Sequence, residues 1–85
     1  MSKATYAQNS VTGYVSDKKT NENLSGAMIY NLEQNKQVQT DCTGHYVFTD
    51  LPRGNVKIQF SYVGYKTVIR VVNMAESNVV LNVPM

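Results

Sequence analysis

Apolar and polar residues alternate with a period of two in residues 10–16 and 56–62 of this chain. The alternation is clearest in residues 56–62 (VKIQFSY), which it predicts to be a half-buried β-strand. A second β-rich run, residues 65–72, follows after Gly64, and glycine tolerates the positive φ that tight turns often require. The two runs therefore predict a β-hairpin that reverses at Gly64.

The same pattern predicts seven short strands, and no segment has the apolar spacing of a helix. The predicted strands are residues 10–16, 26–32, 37–41, 45–49, 56–62, 65–72 and 79–83. Polar loops are predicted at 17–25 and 73–78, the latter with room for one helical turn. Pro84 is expected to end the last strand. Short strands at this spacing are typical of an antiparallel β-sandwich, in which each strand buries one side.

Two further turns are predicted from their residue types. Asp41 and Gly44 occupy the first and last positions of a type I turn, which would join residues 37–41 and 45–49 as a hairpin. Pro52 and Gly54 predict the turn before the fifth strand. The predicted core consists of Val11, Val15, Leu24, Ala27, Ile29, Val38, Tyr46, Phe48, Ile58, Phe60, Val68, Leu81 and Val83.

Size and charge narrow the possible functions. The chain has 85 residues and 42% hydrophobic residues, which indicates one globular domain. Its net charge is only +2, and apart from the adjacent Lys18 and Lys19 its basic residues are scattered, so nucleic-acid binding is not expected. No segment approaches the roughly 20 apolar residues of a membrane helix. Residues 1–9 are expected to be a disordered N-terminal remnant or the tail of a secretory leader, and residues 10–85 the folded domain.

The candidate catalytic and metal-binding residues do not form a convincing set. His45 is the single histidine, and Cys42 lies in the predicted turn three residues before it. Catalytic Cys–His pairs usually come from separate rigid elements, and zinc requires three or four protein ligands. We therefore expect no catalytic residue, no metal site and no cofactor. The tyrosines could stack against sugars, so a carbohydrate-binding module stays open as an alternative.

Several motifs together resemble the carboxypeptidase regulatory-like domain. They are VTGYVSDKKTNENLSGAMIYN and TDCTGHYVFTDLPRGNVKIQFSYVGYKT. The resemblance implies a transthyretin-like (prealbumin-like), seven-stranded, antiparallel Greek-key β-sandwich. The residues that match the family pattern and are read as structural are Gly13, Asp17, Gly26, Asp41, Gly44, Gly54, Tyr62, Gly64 and Tyr65.

The resemblance is strongest to the copy of this domain at the N-terminus of TonB-dependent outer-membrane receptors. It implies a non-catalytic accessory module of an exported protein involved in nutrient uptake, facing the periplasm or associated with the outer membrane. Its partners would be the neighbouring domains of a larger protein, with a further protein partner bound at a sheet edge. Contact with the membrane would come only through the parent protein.

Overall fold

The computed structural model describes residues 9–74 and 78–85, and these form eight strands. Residues 1–8 and 75–77 lie outside the described residues. Most of the predicted N-terminal remnant and part of the predicted loop at 73–78 therefore also lie outside them. None of the described residues forms a helix that is long and apolar enough to cross a membrane. The strands are β1 (Asn9–Ser16), β2 (Met28–Asn31), β3 (Lys36–Gln39), β4 (His45–Leu51), β5 (Asn55–Ser61), β6 (Val68–Asn73), β7 (Asn78–Val80) and β8 (Val83–Pro84).

The strands form two sheets that share one apolar core. One sheet has the order β4-β1-β7, with β8 also pairing with β1, and the other has the order β3-β2-β5-β6. In β2 and β5 every second side chain is buried; in β5 these are Val56, Ile58 and Phe60. The predicted all-β sandwich is therefore confirmed.

The last predicted strand is divided into β7 and β8, and both run parallel to β1, unlike the antiparallel pairing that was expected. The division falls at Leu81 and Asn82. The Leu81 N–H donates to the Thr12 carbonyl (2.7 Å), as in a continuous strand. The next N–H of β1, that of Tyr14, donates to the side-chain oxygen of Asn82 (3.0 Å) and not to a backbone carbonyl, so the backbone pairing is interrupted here. Pro84 does not end the pairing, because the Met85 N–H donates to the Ser16 carbonyl (2.7 Å).

The predicted hairpin between the third and fourth strands was wrong. β3 pairs with β2 in one sheet, whereas β4 pairs with β1 in the other. The reason lies in the buried Thr40, whose hydroxyl donates to the Leu24 carbonyl (2.6 Å) and accepts the Ala27 N–H (2.8 Å). These bonds hold the chain at the point where it passes from one sheet to the other.

The predicted β5–β6 hairpin is confirmed as an antiparallel pair running from Phe60 opposite Val68 to Asn55 opposite Asn73. Strand β6 begins at Val68, three residues later than the alternation suggested. Tyr65 instead closes the turn, because its N–H donates to the Tyr62 carbonyl (3.0 Å).

The core is larger than the alternation predicted. Val38, Val68 and Leu81 were expected inside but are only partly buried, whereas the other predicted core residues are buried. The sequence pattern missed Leu51, Val56, Val72, Met74 and Met85, which are all buried. Val56 and Val72 face each other across β5 and β6, so their burial depends on the strand pairing.

Candidate functional site

An open groove of about 870 Å³ lies between the outer strands β6 and β8 of the two sheets. Three segments line it: the start of the β1–β2 loop, the β5–β6 turn with part of β6, and the last two residues. Asp17, Gly64 and Tyr65 were all predicted as motif residues, and the fold places them together in this groove. The lining residues are Asp17, Lys18, Lys19, Gly64, Tyr65, Lys66, Thr67, Val68, Arg70, Pro84 and Met85.

Asp17 connects two of these segments. One of its carboxylate oxygens accepts the backbone N–H groups of Lys19 (2.7 Å) and Thr20 (3.1 Å), which is the local bonding that makes Asp favourable in turns. Its other oxygen accepts the hydroxyl of Tyr65 (2.5 Å). The carboxylate therefore both shapes its own loop and holds the β5–β6 hairpin against it.

This bonding shifts the pKa values of both partners. The Tyr65 hydroxyl, followed by the N–H groups of Lys19 and Thr20, lowers the pKa of Asp17, because each donor favours the ionised carboxylate. The hydrogen bond to Asp17 raises the pKa of Tyr65, because its proton is held by the acceptor. At neutral pH the pair is thus a carboxylate bound by a phenol.

The turn between β5 and β6 requires glycine. Gly64 has a φ of 86° and lies two residues after Tyr62, whose carbonyl closes the turn, as in a type II turn. The rings of Tyr62 and Tyr65 lie on either side, with centroids 5.6 Å apart. Val63 at the tip is 93% exposed. The motif residues therefore build this turn and attach it to the β1–β2 loop.

The groove carries a concentration of positive charge. Lys18, Lys19, Lys66 and Arg70 line it, and Asp17 is the acidic side chain among the lining residues. All four basic side chains are exposed. The sequence-based view that the basic residues other than Lys18 and Lys19 are scattered was wrong for Lys66 and Arg70, which line the same groove as the adjacent pair of lysines. Only the adjacent Lys18 and Lys19 gave any signal of this in the sequence.

Gly13 lies where the backbone of the segment between β7 and β8 passes too closely for a side chain. It lies opposite Tyr46 in the β1–β4 pair. A Cβ atom at Gly13 would stand 1.9 Å from the carbonyl oxygen of Leu81, so only glycine fits here. The same oxygen accepts the hydroxyl of the buried Tyr46 (2.6 Å). Gly13 and Tyr46 therefore fix the segment between β7 and β8, which leads to the groove.

The other predicted motif residues lie in turns outside the groove lining. Gly26, Gly44 and Gly54 all have positive φ. The Asp41 carboxylate accepts the N–H groups of Thr43 (2.8 Å) and His45 (3.1 Å) and the Thr43 hydroxyl (2.6 Å). These bonds, the Thr43 hydroxyl foremost, lower the pKa of Asp41. The predicted Asp41–Gly44 turn is present, with the Gly44 N–H donating to the Asp41 carbonyl (3.0 Å).

Cys42 and His45 were considered in the sequence as a possible catalytic or metal-binding pair. In the structure the His45 ring packs on the ring of Tyr14, with centroids 4.9 Å apart, and Cys42 is exposed. Among residues 9–74 and 78–85, no three His, Cys, Asp or Glu side chains are placed to hold a metal ion together.

Comparison with known proteins identifies the domain. The family model of the CarboxypepD_reg-like domain matches residues 11–85. The chain belongs to this family. No curated protein sequence matches it.

The CarboxypepD_reg-like domain is also similar in fold to a solved structure. This is a chain from the crystal structure of a type II cohesin–X–dockerin complex, a C-terminal interface mutant, from Acetivibrio cellulolyticus. The TM-score is 0.71 at 16% sequence identity, and the similarity covers 88% of this chain and 52% of that chain. An identity this low supports a shared sandwich fold and no more, and the match spans about half the length of the other chain.

Proposed function

We propose that this CarboxypepD_reg-like domain is a non-catalytic accessory module of an exported protein. In its finer form the proposal is that the exported protein is a TonB-dependent outer-membrane receptor for nutrient uptake, and that the domain is its N-terminal domain and faces the periplasm. The family match over residues 11–85 carries the proposal. The motif residues GYVSD and FSYVGY, which resemble the receptor-associated copies, support its finer part.

The roles of the motif residues support a module that binds other proteins. Gly13 and Gly64 permit a close contact and a turn, and Asp17 and Tyr65 bond to each other. Each of these residues is occupied in building the sandwich. What the domain offers to partners is therefore its outer surface, which includes sheet edges with unpaired backbone groups.

The carbohydrate-binding alternative has less support from the geometry. A sugar-stacking platform needs aromatic faces that are flat and exposed together. Tyr62 and Tyr65 are inclined at 56° to each other and are both partly buried, and the Tyr65 hydroxyl is bound to Asp17. The tyrosines at this turn therefore act as part of the hairpin and its attachment.

The proposed context can be tested in the source organism with an antibody to this domain. We expect the protein that carries the domain to fractionate with the outer membrane, and the domain to become sensitive to added protease only after the outer membrane is permeabilised. The coding sequence that follows Met85 should then specify a plug and a membrane barrel. Recovery of the protein in the cytosolic fraction, or a following sequence of another type, would contradict the receptor assignment.

A further inference from the structure

We infer that the free edge of β6, together with the basic groove beside it, is the docking site for an extended acidic segment of another protein, which adds to the sheet as a further strand. The inference rests on the proposed role as an interaction module. It does not depend on which protein carries the domain.

Strand β6 has the properties of an edge that accepts a strand. Within the described residues it pairs only with β5, so every second residue directs its N–H and C=O away from the sheet. It runs for six residues, contains no proline, and Arg70 is its one charged residue. Ile69 and Val71 on the outer face of the sheet are 49% and 63% exposed. Proteins usually protect an edge of this kind with charges, bulges or a covering element.

The charges beside β6 indicate what kind of strand would bind. Arg70 lies between Val68 and Val72, which face the sandwich interior, so strand alternation puts it on the groove side. Lys66, Lys18 and Lys19 line the same groove. A strand added to β6 would place every second side chain beside these cations, and opposite charges on neighbouring strands stabilise the pair.

The other face of an added strand meets a different surface. Its outward side chains would lie next to Ile69 and Val71, which are apolar and exposed. The expected partner segment therefore alternates acidic residues, directed to the groove, with apolar residues on the outer face. This alternation is a specific requirement, because a shift of one residue would place apolar groups among the cations.

A second copy of this chain fits the edge poorly. Two β6 strands paired around a twofold axis would bring both Arg70 residues and both basic grooves together, and like charges in such positions are destabilising. The remaining edges are less suited to an added strand. β3 has four residues and β7 has three, and in β4 the positive φ of Asp50 (59°) interrupts the extended backbone.

The test is a titration of the isotope-labelled chain, followed by backbone NMR, with a capped peptide of about eight residues that alternates glutamate and valine. We expect shifts at residues 68–73 and at Lys18, Lys19 and Lys66, with β6 amides protected from hydrogen exchange. A matched peptide of lysine and valine should not bind. The glutamate peptide carrying N-methyl groups on alternate residues keeps its charge but loses backbone hydrogen bonds, so it should also fail.

Charge-reversal variants make the test quantitative. The double variant Lys66→Glu with Arg70→Glu should weaken peptide binding by about fivefold or more, since it removes two attractive charge pairs and adds repulsion in their place. Lys36→Glu, a charge reversal at an exposed residue on β3 at the opposite edge of the same sheet, should leave the affinity unchanged. Thermal unfolding would verify that all variants fold.

Several results would overturn the inference. In the titration these are no chemical-shift changes up to millimolar peptide, changes confined to β3 or β4, and binding of the N-methylated peptide as tight as that of the glutamate peptide. Two further results are tighter binding of an oligothymidine than of the peptide, and dimerisation of the chain through β6. These outcomes differ from failure of the proposed context, because cell fractionation tests that context independently of any peptide.

Discussion

Gly13→Ala tests the packing that fixes the last strands to β1. The substitution adds a Cβ atom 1.9 Å from the Leu81 carbonyl oxygen and 2.6 Å from its carbonyl carbon. Both are backbone atoms, so the segment between β7 and β8 must move away by more than an ångström. Gly13 is not among the positive-φ residues, so alanine should meet no conformational penalty of its own there.

The expected cost has two parts. Overpacking of a close contact costs about 1–3 kcal/mol. Displacement of Leu81 also breaks its hydrogen bond with the Tyr46 hydroxyl, and a buried polar group left without a partner costs about 1–3 kcal/mol. The free energy of unfolding should thus fall by about 2–6 kcal/mol, out of a total of about 5–15 kcal/mol for a domain of this kind. The melting temperature should fall by roughly 10–50 °C.

Urea denaturation and calorimetry would measure this loss, with Gly26→Ala as the matched control. Gly26 has a φ of 81°, and a Cβ atom added there would have no neighbouring atom within 4 Å, so alanine should cost only about 1–2 kcal/mol of backbone strain. Tyr46→Phe should be destabilising alone but add little to Gly13→Ala, because both changes break the same bond. A Gly13→Ala variant within about 0.5 kcal/mol of the wild type would refute the reasoning.

Three further predictions concern the core and the hairpin. Phe60→Ala should lower the free energy of unfolding by about 3–5 kcal/mol, because Phe60 is fully buried against Tyr46; a loss below 1 kcal/mol in urea denaturation would place its ring outside the core. Gly64→Val should lower the free energy of unfolding by about 1–3 kcal/mol, because the φ of 86° at this position excludes β-branched residues, whereas Gly64→Asn should lower it less. A Gly64→Val variant with the melting temperature of the wild type would contradict the proposed turn. Tyr65→Phe should lower the free energy of unfolding at neutral pH, because it removes the hydrogen bond to the Asp17 carboxylate. The hydrogen bond lowers the pKa of Asp17 in the folded state, so its contribution is complete above the unfolded pKa of about 3.9 and is lost as pH falls through the folded pKa. The difference in stability from the wild type should therefore shrink over that range. A difference that stays constant down to pH 2 would exclude the Asp17 contact as its source.

The sequence pattern was sufficient for those features that depend on local chemistry. Alternation in residues 56–62 located β5, and Gly64 located the turn, because strand period and positive φ are properties of short segments. The transfer of the chain between sheets at Thr40 depends on bonds to Leu24 and Ala27, more than ten residues away, and no local signal reveals it.

The site was harder to predict than the fold for the same reason. Asp17 and Tyr65 were recognised separately, yet their hydrogen bond joins residues 48 positions apart. The basic groove likewise depends on the β5–β6 pairing, which brings Lys66 and Arg70 near Lys18. A count of charges along the chain could not show this cluster.

The central claim, that the domain recognises a protein partner through β6, is tested most directly by photocrosslinking of the intact protein that carries the domain, in cells of its source organism. A photoreactive residue at Val71 should crosslink to an acidic segment of one protein, as mapped by mass spectrometry, and the yield of the crosslink should fall severalfold when Lys66 and Arg70 are changed to glutamate. The same residue placed at Gln37 on β3 should give no such product. Crosslinks from Gln37 in place of Val71, or a Val71 product whose yield is unchanged by both charge reversals, would contradict the account.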